Sequence, residues 1–384
     1  MANSLDIYDP IFYANEALIA LEKALGMAGR VYRDYSQTPT DQGSSIQIRR
    51  PSTFTAADAP ATAADITATH ETITLQYWRE VKFALTDKEL TFTKERIIND
   101  HIRPAAYALA DDVDQKLAAL AYKVGWHTTV GATPAVTDIT ALRKLMMDNA
   151  VPFSDPALVH WMLGTGLEAG FLNLDVFHRA DASVDQGELQ RNANLGRRFG
   201  FNFFTNQNTP TLATNNVADL AGTVTGATAK GATTISVAAL SITSTIKKGQ
   251  SLVFAGHTQR YTVTADFTTD GAGAATGVGI FPALRAAVAN GEVVTFSDNN
   301  IATAKGLNVA FHRNAFALAT APLSDLAGRL NLGVRMATVA DPITQLALRS
   351  RVYYEGGNSK VSVAFDILYG LECLDPNLAA VALF

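Results

Sequence analysis

Between residues 46 and 85 apolar and polar positions alternate in steps of two. Ile46 and Ile48 open the run. Ile73, Leu75, Tyr77, Val81, Phe83 and Leu85 continue it, with Thr72, Thr74, Gln76, Glu80 and Lys82 mostly filling the places between. Period two predicts strands with one apolar and one polar face. The connection from Arg50 to Glu71 is rich in Ala, Thr, Asp and Pro and has no core pattern. The expectation is a long β-hairpin over 44–85. Alone it would be unstable, and exposed it would be a pairing hazard, so it is expected to lie on a second copy of the chain.

Helical spacing appears on either side. Leu18, Leu21 and Leu25 share a face before Gly26, which predicts a short helix on a polar tether, Ser36 to Ser45. Thr86-Asp87-Lys88-Glu89 has the spacing of a capping box. Ile98, Ile102, Leu109, Val113, Leu117, Leu120 and Val124 then make one stripe. Pro104 starts or kinks a helix there, and Gly125 stops it. Residues 138–204 read as mixed α/β. Thr137 or Asp138 caps a helix through Met147, Leu158 to Leu163 is a strand, Thr165 to Leu172 a helix, and Phe199 to Phe204 an aromatic strand.

Gly222 to Phe296 interrupts this pattern. The block is rich in Thr, Ala, Gly and Val, and its charged residues are Lys230, Lys247, Lys248, Arg260, Asp266, Asp270, Arg285 and Glu292. Thr234–Val237, Ser251–Phe254, Tyr261–Ala265, Val278–Phe281 and Val293–Phe296 read as short strands. Lys248-Gly249, Ala255-Gly256-His257 and Asn290-Gly291 supply the turns. A small barrel or sandwich is expected. After it, a helical pattern is read over Gly306 to Ala319. Two strands follow, Leu346–Tyr354 and Lys360–Leu371, joined by the hairpin turn Glu355-Gly356-Gly357-Asn358.

Composition narrows the function classes. A chain of 384 residues with 48% hydrophobic residues can bury sizeable cores in two or three units. A net charge of −5 argues against a general nucleic-acid binder, though not against a protein that merely encloses nucleic acid. The one cysteine, Cys373, allows no intrachain disulfide and reads as a small buried hydrophobe between Leu371 and Leu374. No basic, apolar export signal opens the chain, and no apolar run approaches the ~18 residues of a membrane span.

The search for chemistry is mostly negative. Phosphate-loop, HExxH and GxSxG motifs are missing. None of His70, His101, His127, His160, His178, His257 and His312 has a second histidine three or four residues away. Asp111, Asp112 and Asp114 could bind a cation but read better as a solvated helix face. The aromatic run at Phe199–Phe204 could stack bases, but Arg197 and Arg198 are its only basic neighbours, so a buried strand is expected. No catalytic residue, metal site or cofactor is assigned, and no enzymatic activity is expected.

Three stretches carry a family resemblance. PAAYALADDVDQKLAALAYKVG at Pro104–Gly125, FGFNFFTNQNTP at Phe199–Pro210 and DILYGLECLDPNLAAVAL at Asp366–Leu383 resemble the major capsid (coat) proteins of tailed double-stranded DNA bacteriophages. TISVAAL, IKKGQSLVFAG and YTVTAD resemble the β insertion domain that one branch of that family carries. The implied fold is α+β: an N-terminal arm (1–43), an extended hairpin loop (44–85), a spine helix with peripheral domain (86–130), an axial domain (131–221 and 298–345), the insert (222–297), and closing peripheral strands with the tail (346–384).

The resemblance implies a structural protein that self-assembles as pentamers and hexamers into an icosahedral head. That head encloses double-stranded DNA without sequence-specific binding. Scaffolding protein, portal and decoration protein are the implied partners, without a membrane. The implied location is the virion, assembled in the host cytoplasm. On the 44–85 hairpin, Arg49, Arg50, Arg79 and Glu80 read either as intersubunit ion-pairing residues or as the charges of a solvated hairpin. Two other readings stay open: an adhesion or other non-viral structural protein with an Ig-like insert, and a hydrolase with a β accessory domain.

Overall fold

The computed structural model describes residues 10–24, 26–33, 45–49, 58–59, 70–86, 101–178, 193, 195–215, 221–297, 301–324, 326, 334–340, 346–357 and 359–384. They divide into two compact units. One comprises residues 1–113 and 317–374, the other 114–316 and 375–384, so the chain passes between them three times. Secondary structure is mixed and mostly β.

In the first unit, helix α1 (Pro10–Ala24) starts on a proline, whose missing N–H costs nothing in a first turn. It buries Tyr13, Ala14, Ala17, Leu18 and Leu21 on one stripe. Strand β1 (Ser45–Arg49) pairs antiparallel with β2 (His70–Thr74). The hairpin ends there. Strand β3 (Tyr77–Thr86) continues the period-two pattern but joins another sheet, so the alternating run from Ile73 to Leu85 divides between two sheets at Leu75-Gln76 instead of forming one hairpin arm. Sequence spacing does not separate these outcomes, because alternation reports a half-buried strand and not its partner. The capping-box residues Asp87–Glu89 and the helix start at Ile98 lie outside the described residues, as do Leu25 and Arg50.

Helix α2 (Arg103–Ala118) carries Pro104 in its first turn and buries Ala105, Ala106, Leu109, Ala110, Val113 and Leu117. Its last turn tightens to a 3₁₀ form at Ala119–Lys123. The second unit then adds β4 (His127–Thr129), α3 (Val136–Asp148), β5 (Val159–Leu163), α4 (Thr165–Leu172), α5 (Asp175–His178), β6 (Arg197–Arg198), β7 (Phe201–Thr205) and β8 (Thr211–Leu212). Asp138 accepts a hydrogen bond from the Ala135 backbone N–H at 2.8 Å, so it holds the start of α3 from inside the first turn, and not as the cap itself.

Residues 221–296 carry β9 (Ala221–Val224), β10 (Thr234–Ala238), β11 (Thr245–Ile246), β12 (Ser251–Phe254), β13 (Tyr261–Val263), β14 (Phe267–Thr268), β15 (Ala275–Phe281) and β16 (Val293–Phe296). Six of these close into a barrel in the order β10-β15-β13-β12-β16-β9. Its interior is a separate apolar cluster that includes Ile235, Val237, Leu252, Phe254, Tyr261, Val278, Ile280, Val294 and Phe296. Closure removes the unpaired edges that an open small sheet would expose.

The chain returns as β17 (Lys305–His312) and β18 (Phe316–Ala321), then β19 (Val334–Ala340), β20 (Ala347–Glu355), β21 (Lys360–Cys373) and β22 (Ala379–Leu383). The helix expected over Gly306–Ala319 is therefore two strands. The reason is burial. Leu307 to His312 are all buried, so β17 shows no polar alternation, and a short continuous apolar run does not distinguish strand from helix. Strand β17 sits inside a seven-stranded sheet, β4-β22-β17-β5-β7-β6 with β8 also on β17. The core beneath it gathers Trp161, Phe171, Phe177, Phe201 and Phe203, with Trp161 5.2 Å from the Phe201 ring centroid and 5.3 Å from that of Phe203. The aromatic stretch is thus a buried strand. Strands β19, β20, β21 and β3 run side by side in the first unit's five-stranded sheet, and β18 also pairs with β21.

Candidate assembly surface

The first unit's sheet has two chemically different faces, because side chains alternate across each strand. On one face the register aligns Glu80 of β3, Asp366 of β21 and Arg349 of β20 in a single row. The Asp366 carboxylate is fully buried. It accepts from Arg349 Nε at 3.2 Å and Nη2 at 2.5 Å, and from Trp78 Nε1 at 3.1 Å. Arg351 Nη2 lies 3.2 Å from Asp366 and 2.7 Å from Glu80, as ion pairs by distance and not aligned hydrogen bonds. Arg349 also donates to the Ser324 carbonyl at 2.8 Å and lies 5.9 Å from the centre of the Trp78 ring. Two cations thus answer two carboxylates, which a buried charge cluster requires. Trp78 remains 60% exposed above them.

The same face continues to Lys82, which donates to Glu355 at 2.8 Å and rests over the Tyr353 ring. The Glu355 bond, then that of Tyr353, holds the Lys82 ammonium above its ordinary value. Ser362 shares the Glu355 oxygen at 2.8 Å.

The opposite face is aromatic. Tyr77 stacks on Tyr369 at 5.2 Å, and Phe83 meets Phe365 and His101. Here Asp112 of α2 accepts from the Tyr369 hydroxyl at 2.6 Å and pairs with Arg79 at 3.2 Å. Burial first, and the Asp112 bond second, push the Tyr369 hydroxyl far above the usual phenol range.

The residues expected to pair between subunits do not form one group. Arg79 and Glu80 lie on opposite faces of β3, each with an intrachain partner, Asp112 and Arg351. Arg49 lies in β1 opposite His70. Of the acidic trio Asp111 is exposed, as a solvated face requires, but the other two are engaged. Asp112 serves Tyr369 and Arg79, and buried Asp114 accepts from Asn206 Nδ2 at 2.6 Å. Among the described residues no group of three or more His, Cys, Asp or Glu side chains is placed to hold a metal. Nor is any helix among them long and apolar enough to cross a membrane.

Trp78, Arg349, Arg351 and Asp366 were not singled out from sequence. A signal existed. The turn at Gly356-Gly357 sets Glu355 opposite Lys360, and counting back along that register brings Arg349 opposite Asp366.

In the second unit the barrel is seated on the residues that follow α2. Ser251 Oγ donates to the Gly125 carbonyl at 2.6 Å, Lys248 lies over Tyr122, and Arg260 lies over Trp126. Asn377 Oδ1 accepts from Trp126 Nε1 and Gln259 Nε2, each at 2.9 Å, while Asn377 Nδ2 donates to Gln259 Oε1 at 3.0 Å. The tail after β21 is thereby tied to the barrel. Buried Asn308 of β17 has a similar joining role. Its oxygen accepts from the Gly164 N–H at 2.6 Å and its amide donates to the Gly306 and Ala382 carbonyls at 3.1 Å each.

No protein-family model matches the chain, and no curated protein matches it in sequence. Solved structures do. A structure from Mycobacterium phage Che8 matches with a TM-score of 0.51 at 13% identity, covering 93% of this chain and 90% of that one. The asymmetric unit of the bacteriophage PhiM1 mature capsid matches at 0.49 and 12%, covering 94% and 86%. The capsid structure of Cyanophage P-SCSP1u matches at 0.47 and 10%, covering 92% and 86%. The first of these matches carries the structural conclusion: over 93% of its length this protein shares its fold with the Mycobacterium phage Che8 structure.

Proposed function

We propose that this chain is the major capsid protein of a tailed double-stranded DNA phage, a structural protein that self-assembles into the icosahedral head. The observation that carries the reading is the match to a phage structure across 93% of the chain. It extends on both sides of the barrel, which an adhesion scaffold with an Ig-like insert or a hydrolase with an accessory domain does not predict. Under this reading α2 is the spine helix, β1 and β2 are the stem of the extended loop, the sheet of β19, β20, β21 and β3 is the peripheral domain, and the seven-stranded sheet is the axial domain; β19 thus leaves the axial span expected at 298–345, and β22 leaves the peripheral span expected at 346–384. The barrel is the insertion domain. It supports the coat monomer through its seat on Tyr122, Gly125, Trp126 and Asn377.

A shell needs many moderate contacts that act together. Arg49 of β1 and its sequence neighbour Arg50, with Arg79 and Glu80 of β3, are the proposed intersubunit ion-pairing residues. Each of the last two would share its intrachain partner with a neighbour. Scaffolding protein, portal and decoration protein are the proposed partners. Net charge −5 suits an enclosure that releases DNA. The proposed location is the virion, with assembly in the host cytoplasm.

Electron microscopy of the expressed full chain tests the reading. Closed shells or capsomer-like rings are expected, and small uniform particles at every concentration and salt would overturn it. Charge reversal at Arg49 and Arg50 tests the contact residues: assembly is expected to fail, and intact shells of unchanged stability would remove them from the interface.

A further inference from the structure

The turn between β17 and β18 is held by an imidazole. His312 is 5% exposed, and its Nδ1 accepts the Asn314 N–H at 3.3 Å, capping the 3₁₀ turn Arg313–Ala315. Accepting through Nδ1 requires that nitrogen to carry no proton. The turn belongs to the second unit. A second turn of the same unit is tied to it, because the Asp375 N–H donates to the Ala315 carbonyl at 3.3 Å. Asp375 in turn caps its own 3₁₀ turn, Pro376–Leu378, by accepting from Asn377 N at 3.0 Å. Two 3₁₀ turns of the second unit, Arg313–Ala315 and Pro376–Leu378, are therefore tied to one buried histidine cap.

We propose that His312 makes this pair of turns acid-sensitive: a proton at Nδ1 sets two N–H donors against each other, opens the Arg313–Ala315 turn and loosens the Asp375–Leu378 turn tied to it. A buried donor pair without an acceptor is costly. The charged and titratable groups on the elements packed around the imidazole are Asp155, His160 on the paired strand, Arg313 beside it, and Asp375 of the bonded turn. Burial pushes His312 below its ordinary value, and Asp155 opposes this. With a folded value below the unfolded one, its contribution is present above the unfolded value and is lost as pH falls through the folded value. The pair of turns is thus closed at neutral pH and opens as pH falls below the ordinary imidazole range.

Amide hydrogen exchange of the full chain between pH 7.5 and pH 5, corrected for intrinsic exchange, reads this directly. Protection at Asn314, Asp375, Asn377 and Leu378, whose N–H groups make these bonds, is expected to fall about tenfold while Phe311 and Val381 keep theirs. His312→Asn keeps an acceptor for the Asn314 N–H and does not titrate, so its loss should stay under about twofold. Equal losses in both proteins, or no loss in either, would overturn the proposal. If the variant fails to fold, the wild-type titration still decides. The His312 ring and the Asn314 amide should shift together with one midpoint, and a ring that titrates while that amide stays still would overturn it.

Discussion

Arg349 and Asp366 stand directly opposite each other on β20 and β21, and two hydrogen bonds, of 3.2 and 2.5 Å, join the guanidinium to a carboxylate with no solvent exposure. A bidentate buried pair is weak evidence of net stabilisation, because desolvation offsets much of the attraction. Removing one partner is another matter. Asp366→Asn leaves Arg349 buried against a neutral amide and takes the second carboxylate from Arg351. A loss of about 3–5 kcal/mol is expected, read as a lower urea midpoint with unchanged slope. A loss under about 1 kcal/mol would mean that water reaches the cluster.

Asn308 joins three backbone segments from a site 2% exposed. Asn308→Ala strands the Gly164 N–H and the Ala382 carbonyl in the interior. Each unsatisfied group costs about 1–3 kcal/mol, so a loss of about 2–4 kcal/mol is expected after partial relaxation. Asn308→Asp separates shape from chemistry. It keeps the acceptor for Gly164 but loses both donors, so it should be as damaging as alanine at neutral pH.

Two glycines separate backbone strain from the seat of the barrel. Gly249 and Gly231 have positive φ, +86° and +87°. A Cβ at Gly231 meets open space, whereas one at Gly249 would come within 2.4 Å of Tyr122 Cδ1. Gly231→Ala should cost only the left-handed penalty, about 1–2 kcal/mol. Gly249→Ala should cost more and should also quench or shift Tyr122 fluorescence in a Trp-free background. Equal costs would mean that the ring moves aside freely.

Strand and turn positions were legible where burial was one-sided. The barrel strands follow their alternation, and its turns at Gly249, Gly256 and Gly291 fall at positive φ as the dipeptides suggested. Strand β9 was missed because Ala221–Val224 is too short and too plain to show a pattern. β17 was misread because both of its faces are buried, and the pairing of β3 was misread because alternation carries no partner information. The charged row was hidden for a different reason. Polar positions on a strand look solvent-facing unless the neighbouring strand's register is followed, and only then do Arg349, Asp366 and Glu80 meet. Asp112 and Asp114 show the same limit on a helix: spacing places them on a polar side but does not reveal Tyr369 and Asn206 waiting there.

The Tyr369 hydroxyl links pH to stability at the alkaline end. Burial and then the Asp112 bond raise it far above its ordinary value, while an unfolded tyrosine ionises near pH 10. The folded value being the higher, the stabilisation is complete below about pH 10 and is lost as pH rises beyond it. Tyr122 and Tyr261 are raised as well, chiefly by burial, and add to the same lability. Tyr369→Phe should cost about 1.5–3 kcal/mol at pH 7, the worth of a hydrogen bond to a charged group. It should also flatten the fall in stability between pH 9 and pH 11. An unchanged alkaline slope by circular dichroism would assign that lability to the other two tyrosines.

The barrel tests whether a closed core or its seat holds the block together. Its interior cluster is made from β9 to β16 alone, so residues 221–297 contain every strand and turn needed to close it. A core of this size supplies only a few kcal/mol, however. The bonds from Ser251 to Gly125 and between Gln259 and Asn377 end on residues outside the segment. The expectation is an isolated segment that folds but with little reserve. Its amide spectrum should be dispersed at 15 °C, and its thermal midpoint should lie well below that of the same strands in the full chain. A collapsed, undispersed spectrum would show that the seat on Gly125, Trp126 and Asn377 is required for folding and that closure of the six strands is not sufficient. An equal midpoint would make the seat structurally idle.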